Sequence, residues 1–441
     1  MSARCGRTAL ANGLVIAAPR SGSGKTVVTL GLLAALGRRG LTVASAKTGP
    51  DYIDRAILAR VAGSEAINLD PWAMSPDRLR ALASAHAAGA DLLLVEGVMG
   101  LFDGAADGTG STADLAATLG LPVILVVDAD RQGQSIAALV SGFARFRPDV
   151  GVAGVIVNRV ATTRHEQLLL TALAPLGLPV LGVLPRRDVL HLPERHLGLV
   201  MPDEVVGFDA IVTAAADALE QFVDLNLLAA LSSKVPRFLP GVSRISPLGQ
   251  RIAVAMDDAF SFIYPHVLSD WRAQGAEVTP FSPLADEHAR MDSDAVFLPG
   301  GYPELHGERL AAASGFHAGL RAAAARNALI YGECGGYMVL GETLTDKSGA
   351  THRMAGLLPI HTDISRPKRT LGYRRLSHQS PLPWPAHLLG HEFHYSTSGA
   401  ANPLFAATDA LGTSLPPMGA VAGRVMGSYA HVIDAAEPAD G

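Results

Sequence analysis

The stretch Ala17 to Val28, AAPRSGSGKTVV, decides how the first half of the chain reads. Its centre, Gly22-Ser23-Gly24-Lys25-Thr26, has the composition of a phosphate-binding loop. Glycines let successive backbone N–H groups and the following helix N-terminus converge on phosphate oxygens, Lys25 adds a point charge, and Thr26 offers a hydroxyl to magnesium. Strict spacing would place a glycine at Pro19, so the loop is a variant. An apolar run from Gly13 to Ala18 predicts a strand before it, and Val27 to Leu36 a helix after it.

Working outward, near-continuous apolar runs recur at Thr42 to Lys47, Leu92 to Glu96, Pro122 to Asp128, Val152 to Asn158 and Pro179 to Leu184. Such runs read as buried parallel strands of a doubly wound α/β domain. Ligands in these sheets collect at the carboxyl ends of strands. Asp51 and Glu96 stand there as candidate magnesium ligands, since magnesium takes one or two carboxylates beside phosphates. Lys47 is placed to neutralise a transferring phosphoryl group. Asp103 and Asp107 serve equally as turn formers or as contacts to metal or substrate, and Asn158 as a turn residue or a hydrogen-bonding partner of a base.

The bulk properties bound the reading. With 441 residues, the chain has room for two or three domains, and 49% hydrophobic against 17% charged residues marks it as globular. No apolar run approaches the roughly 20 residues needed to cross a bilayer, and no long apolar segment precedes the phosphate loop, so a cytoplasmic location is expected. A net charge of −5 gives no footprint for nucleic acid.

The segment NLLAALSSKVPRFLPGVSRISPLGQ loosens the pattern with three prolines and scattered serines. It predicts a synthetase-like domain over 1–228, a linker over 229–250 and a second α/β domain over 251–441. Strands are expected again at Arg251 to Met256, Glu277 to Phe281, Asp294 to Leu298 and Ala328 to Tyr331. Within LIYGECGGYMVLG, Cys334 sits on a strand-to-helix turn. There the helix N-terminus is expected to lower the thiol pKa and favour a nucleophilic thiolate. His431, in VMGSYAHVID, is the candidate base among 15 histidines, with His361, His391 and His394 competing. Gly300 and Gly301 of PGGYPE, with Gly335 beyond the nucleophile, are candidate oxyanion-hole amides.

The stretches SGSGKT, KTGPDYID, VEGVMGLFDG, GSTADLA and GVIVNRV resemble the synthetase domain of the cobyrinic acid a,c-diamide synthase family, itself similar to dethiobiotin synthetase. LPGGYPE, YGECGGYMVLG, GHEFHYS and GSYAHV resemble the class I glutamine amidotransferase domain of the same family. The resemblance spans Gly13 to His431. It implies two doubly wound, mainly parallel-sheet domains and a ligase that uses ATP, Mg²⁺ and glutamine to amidate the a and c acetates of a corrinoid polycarboxylate through an acyl phosphate. It further implies that Gly22, Ser23, Gly24, Lys25 and Thr26 hold phosphates, and that Thr26, Asp51 and Glu96 hold the metal. By the same resemblance Lys47 would contact the phosphoryl group, Asn158 would read adenine, Tyr52 and Ile53 would lie toward the substrate carboxylates, and His431 would be the base for Cys334; Asp103 is a substrate candidate from its Gly-rich setting alone. Where many such amidotransferases carry a glutamate, two residues after the histidine, this chain has Ile433. Asp434 follows, and Glu392 is a candidate substitute.

The basic run RPKRTLGYRR adds Arg369 and Arg374 as guanidinium partners for substrate carboxylates, against the plainer reading of a solvated face. Hydrogenobyrinic and cobyrinic acid both remain open as substrate, as does nickel sirohydrochlorin. A homodimer is also open. From a different class, a partitioning-type nucleotide-switch ATPase fits the first half alone, and an inactive amidotransferase module is a third alternative.

Overall fold

The structure is a computed structural model that describes residues 11–187, 194–195, 198–199, 207–237, 244–398 and 402–436. The chain divides into two compact units, Met1–Val242 and Ser243–Gly441.

In the first unit seven parallel strands run β1 (Asn12–Ala17), β2 (Val43–Thr48), β3 (Ala66–Leu69), β4 (Leu92–Glu96), β5 (Val123–Asp128), β6 (Val152–Val160) and β7 (Val180–Pro185). Their spatial order is β3-β2-β4-β1-β5-β6-β7. β1 therefore lies between β4 and β5, where successive connections depart to opposite sides. That switch point is where ligands of open α/β sheets bind. β2, β4 and β5 are buried along their whole length, as the uninterrupted apolar runs require. β3 was not expected, because four residues, AINL, are too short to stand out as a run.

The phosphate loop links β1 to helix α1 (Lys25–Arg38). α1 packs closely on the helix Phe208–Phe222: a Cβ at Gly31 would stand 2.9 Å from the Ala215 carbonyl oxygen. Helix α2 (Tyr52–Ala62) follows β2 and is capped by Asp51, whose side chain accepts from the Ile53 and Asp54 amides.

The expected linker, 229–250, is not uniform. Leu225–Leu231 is helical, and Ser233–Lys234 pairs antiparallel with the start of β1, Asn12 to Lys234 and Gly13 to Ser233. The first unit thus extends past residue 228, because backbone groups at the start of β1 find partners there.

The second unit holds a six-stranded sheet of β8 (Arg251–Ala255), β9 (Glu277–Phe281), β10 (Ala295–Leu298), β11 (Leu329–Glu333), β16 (Ala420–Ala422) and β17 (Val425–Ser428), ordered β9-β8-β10-β11-β17-β16. All neighbours are parallel except β16 against β17. A second sheet, wholly antiparallel, was not foreseen. It contains β12 (Thr370–Ser377), β13 (His387–His394), β14 (Phe405–Thr408), β15 (Ser414–Met418) and β18 (Ala430–Ala435), ordered β15-β14-β12-β13-β18. The cysteine turn leaves β11 of the first sheet, and the histidine rides on β18 of the other.

Candidate active sites

In the first unit the loop geometry follows from two glycines with positive φ, Gly22 at 78° and Gly24 at 86°. Gly24 is also sterically required. A Cβ there would stand 2.2 Å from Asn158 Nδ2, the amide that donates 2.9 Å to the Ser23 carbonyl. Asn158 thus braces the loop from β6 while lining, with Gly24, Arg159 and Leu184 to Arg187, a cavity of about 380 Å³. Arg159, with its own φ of 59°, donates to the Gly22 carbonyl at 2.8 Å and to Asp128 Oδ2 at 2.9 Å. Arg20 reaches the same Asp128 oxygen at 3.2 Å. The sequence marked Asp128 only as a polar strand end, and its role in tying two arginines to the loop was missed.

Below the loop is a charge cluster. Thr26 Oγ1 donates to Glu96 Oε1 at 2.8 Å, and Lys47 Nζ donates to the same oxygen at 3.0 Å. Lys47 also pairs with Asp54, which lies three residues beyond Asp51 on α2. Lys47 is almost wholly buried, at 1% exposure. Burial opposes its charge, but Asp54, Glu96 and Asp51 outweigh that and raise its pKa. Burial and the neighbouring Lys47 ammonium lower that of Lys25, and burial together with Asp54 pushes Asp51 up to about 6. Three carboxylates thus face two ammonium groups, and Glu96 Oε2 is buried with no hydrogen-bond partner. An excess of buried negative charge and a spare buried oxygen beside a threonine hydroxyl suit a divalent cation of the magnesium kind. Among the described residues no group of three or more His, Cys, Asp or Glu would hold a metal alone, so phosphate oxygens and Thr26 must complete any such site.

Asp54 was missed, although its spacing from Asp51 places both on one face of the helix. Tyr52 and Ile53 are buried in the first turn of α2. Asp103 is exposed and accepts from the Gly100 amide at 2.9 Å, the geometry of a turn former.

In the second unit β11 delivers Cys334 to the start of the short helix α3 (Gly335–Leu340), in the unusual conformation φ 46°, ψ −105°. Its amide donates to the Ser428 carbonyl at 2.8 Å, pinning the turn to β17. His431 stands across Gly300. A Cβ at Gly300 would lie 2.3 Å from His431 Cε1 and 3.3 Å from Cys334 Cβ, so thiol and imidazole flank one point. Gly301 lies against Gly335, with its nitrogen 3.0 Å from where a Gly335 Cβ would be. The Gly301 nitrogen therefore lies close to Gly335, whose own amide hydrogen-bonds the Cys334 sulfur.

The expected depression of the thiol pKa is corrected. Burial, then the Glu304 carboxylate, pushes Cys334 up, because a six-residue helix cannot offset the loss of water. Burial, with His391 and His394, lowers His431 to about 3. Cys334 and His431 are both buried, and the thiol is the free cysteine among the described residues; Cys5 lies outside them.

Arg374 is a second correction. Its side chain is buried at 7% exposure, donates to Glu392 Oε2 at 2.7 Å and bonds the Tyr373 carbonyl, so it is spent inside the antiparallel sheet. Arg369 is exposed. Glu392, offered as the histidine's carboxylate, is held by Arg374 and by His394 at 2.8 Å. Ile433 is fully buried. The carboxylate beside His431 is Glu333, immediately before the nucleophile, with Oε2 3.8 Å from Nδ1.

A phosphate-loop unit followed by a cysteine–histidine unit with adjacent glycine amides defines a nucleotide-binding synthetase joined to a glutamine amidotransferase. Comparison with known families agrees: residues 14–200 match the CobQ/CobB/MinD/ParA nucleotide binding domain and residues 251–439 the CobB/CobQ-like glutamine amidotransferase domain. The chain is 54% identical over 428 residues to hydrogenobyrinate a,c-diamide synthase of Brucella abortus, covering 96% of this chain and 98% of the relative. It is 53% identical over 430 residues to that of Rhizobium meliloti, covering 97% and 100%. The septum site-determining protein MinD of Pyrococcus horikoshii aligns over 40% of this chain and 83% of its own at 19% identity, with a TM-score of 0.29, too distant to inform the site. The chain belongs to the hydrogenobyrinate a,c-diamide synthase family. Among the described residues no helix is long and apolar enough to cross a membrane.

Proposed function

We propose that this protein converts the a and c acetate carboxylates of hydrogenobyrinate to amides, using ATP and glutamine, in cobalamin biosynthesis. The observation that carries the reading is the pairing, in one chain, of a phosphate loop over the Thr26–Glu96–Lys47 cluster with a cysteine and a histidine meeting at Gly300. Cys334 Sγ attacks the glutamine side-chain carbonyl, and the thiol proton passes through His431 to the departing nitrogen, which leaves as ammonia. The Gly301 and Gly335 amides receive the developing oxyanion. Water then cleaves the thioester and releases glutamate.

In the other unit the substrate carboxylate attacks the ATP γ-phosphoryl group, giving an acyl phosphate and ADP. Ammonia displaces phosphate to form the amide. Gly22 to Thr26 hold the phosphates, Lys47 faces the transferring phosphoryl group, and Asn158 braces the loop at the cavity that suits the base. Thr26, Glu96 and Asp51 would hold Mg²⁺, which draws charge from the phosphate oxygens when bound. Tyr52 and Ile53 anchor the start of α2 toward the substrate.

The test supplies ATP, Mg²⁺ and glutamine with hydrogenobyrinate, cobyrinate or nickel sirohydrochlorin and weighs the product. A diamide of hydrogenobyrinate, with one ADP and one glutamate released per amide, is expected. No mass change with hydrogenobyrinate refutes the substrate assignment.

A further inference from the structure

We infer that Glu333 is the positioning residue of the glutaminase centre: it orients His431 and balances its charge, the task a glutamate two residues after the histidine would otherwise perform. The inference rests on the reading of Cys334 as nucleophile and His431 as base.

Glu333 ends β11 and points away from the thiol that follows it in sequence, toward β18. Its Oε2 lies 3.8 Å from His431 Nδ1. Its other oxygen is fixed from two directions: the Val432 amide donates to Oε1 at 3.1 Å, and the Tyr331 hydroxyl donates to it at 3.2 Å. One carboxylate oxygen is therefore occupied in holding the group still, and the second is aimed at the imidazole. The separation of 3.8 Å exceeds a hydrogen bond, but catalytic contacts in ligand-free sites are often long and close when substrate binds. An ionised Glu333 accepts a hydrogen bond from Nδ1–H, which leaves Nε2 as the acceptor for the thiol proton. A carboxylate at Nδ1 fixes the tautomer of the imidazole and its orientation. The residue is buried and backs onto an apolar wall that includes Phe297 and Trp384.

Glu392 is the substitute the sequence offers, and Asp434 is simply the residue that follows Ile433. Glu392 is committed to Arg374 and His394. The Asp434 side chain accepts from the next residue's amide at 2.9 Å.

The arrangement works with Glu333 ionised. Burial raises Glu333 to about 8, so the working fraction grows as pH rises toward that value. Among the described residues, the titratable groups packed against it are Tyr331, His431, Cys334 and Tyr264.

The test is Glu333→Gln. Its amide oxygen can still accept from Val432 and Tyr331, but an N–H donor now faces Nδ1, which reverses the tautomer. The kcat for glutamate release should fall roughly 10²–10⁴-fold, with KM for glutamine little changed. Alkylation of Cys334 by a chloroketone analogue of glutamine should slow in parallel, and the alkaline rise in rate should vanish. Amidation driven by free ammonia should be untouched. Wild-type kcat in E333Q overturns the inference. Should E333Q fail to fold, Glu333→Asp carries the test, because it keeps the charge but withdraws it by one methylene. A lowered kcat that retains the alkaline rise supports the inference, and an unchanged kcat overturns it. Cys334→Ala separates the two layers. If C334A still releases glutamate, the parent reading falls. If C334A is inert and E333Q is as fast as wild type, only the role of Glu333 falls.

Discussion

Gly300→Ala tests whether the thiol and the imidazole work as a pair. The added methyl would stand 2.3 Å from His431 Cε1 and 3.3 Å from Cys334 Cβ. With carbon atoms at rest near 3.5 Å, the imidazole must retreat by about 1.2 Å, while the cysteine needs to shift only a few tenths. Displacing a catalytic group by about 1 Å costs on the order of 10²-fold in rate. Overpacking one methyl typically costs about 1–3 kcal/mol, which a domain of ordinary stability survives. The backbone itself adds no strain, since Gly300 is not among the positive-φ residues. Glutamate release should therefore drop roughly a hundredfold, with thermal unfolding only modestly lowered and ammonia-driven amidation intact. The assays are glutamate release, amide formation from ammonium salt, and calorimetry on one preparation. A G300A enzyme that hydrolyses glutamine at the wild-type rate would show that Cys334 and His431 do not act across that glycine.

Lys47→Met leaves Asp54 and Glu96 buried without their shared ammonium, and breaking a buried pair costs about 3–5 kcal/mol. Urea unfolding of the first unit should show that loss, together with loss of ATP-dependent amidation; an unchanged midpoint would contradict the cluster. Arg374→Ala removes the guanidinium from Glu392 and should destabilise the second unit, whereas Arg369→Ala should leave stability alone and raise the corrinoid KM if that exposed residue meets substrate. Equal unfolding midpoints for R374A and wild type would contradict its buried role. Acid should also weaken the second unit. Burial, then Arg374, lowers His391 to about 4, and burial lowers His431 to about 3, so between the ordinary histidine value and these the unfolded chain binds more protons. Stability is then full above about pH 6.5 and falls on acidification, by up to about 1.4 kcal/mol per pH unit for each histidine. His391→Gln should flatten that slope in urea titrations at pH 7 and pH 5, and an identical slope would remove the histidine from the account.

The parallel sheets were readable because buried central strands need unbroken apolar runs, and β2, β4 and β5 have them. The antiparallel sheet was not, and Arg374 shows why. In β12 successive side chains face opposite ways, so Arg374 is buried and Arg375 exposed. A basic run on a strand looks the same in sequence whichever half turns inward. Cys334 and His431 could be chosen from their glycine-rich and strand-end surroundings. Glu333 and His431 lie far apart in the sequence, and nothing along the chain shows that β11 and β18 bring them together. Asp54 reads in sequence as an ordinary acidic residue of a helix's first turn, and only the fold shows Lys47 reaching it. Thiol acidity was misjudged because a sequence displays a helix start but not the depth at which it is buried.

The pairing of Ser233–Lys234 with the first residues of β1 bears on how the protein is made. As the chain leaves the ribosome, the strand that launches the phosphate loop appears long before its antiparallel neighbour, which is among the last segments of its unit. Closure over so long a separation is slow and must wait for the far end to emerge. A synthetase half cut at residue 228 would never receive that closing strand, while one cut at residue 237 would. The order of synthesis thus leaves the start of β1 without its antiparallel neighbour until the second unit is about to begin.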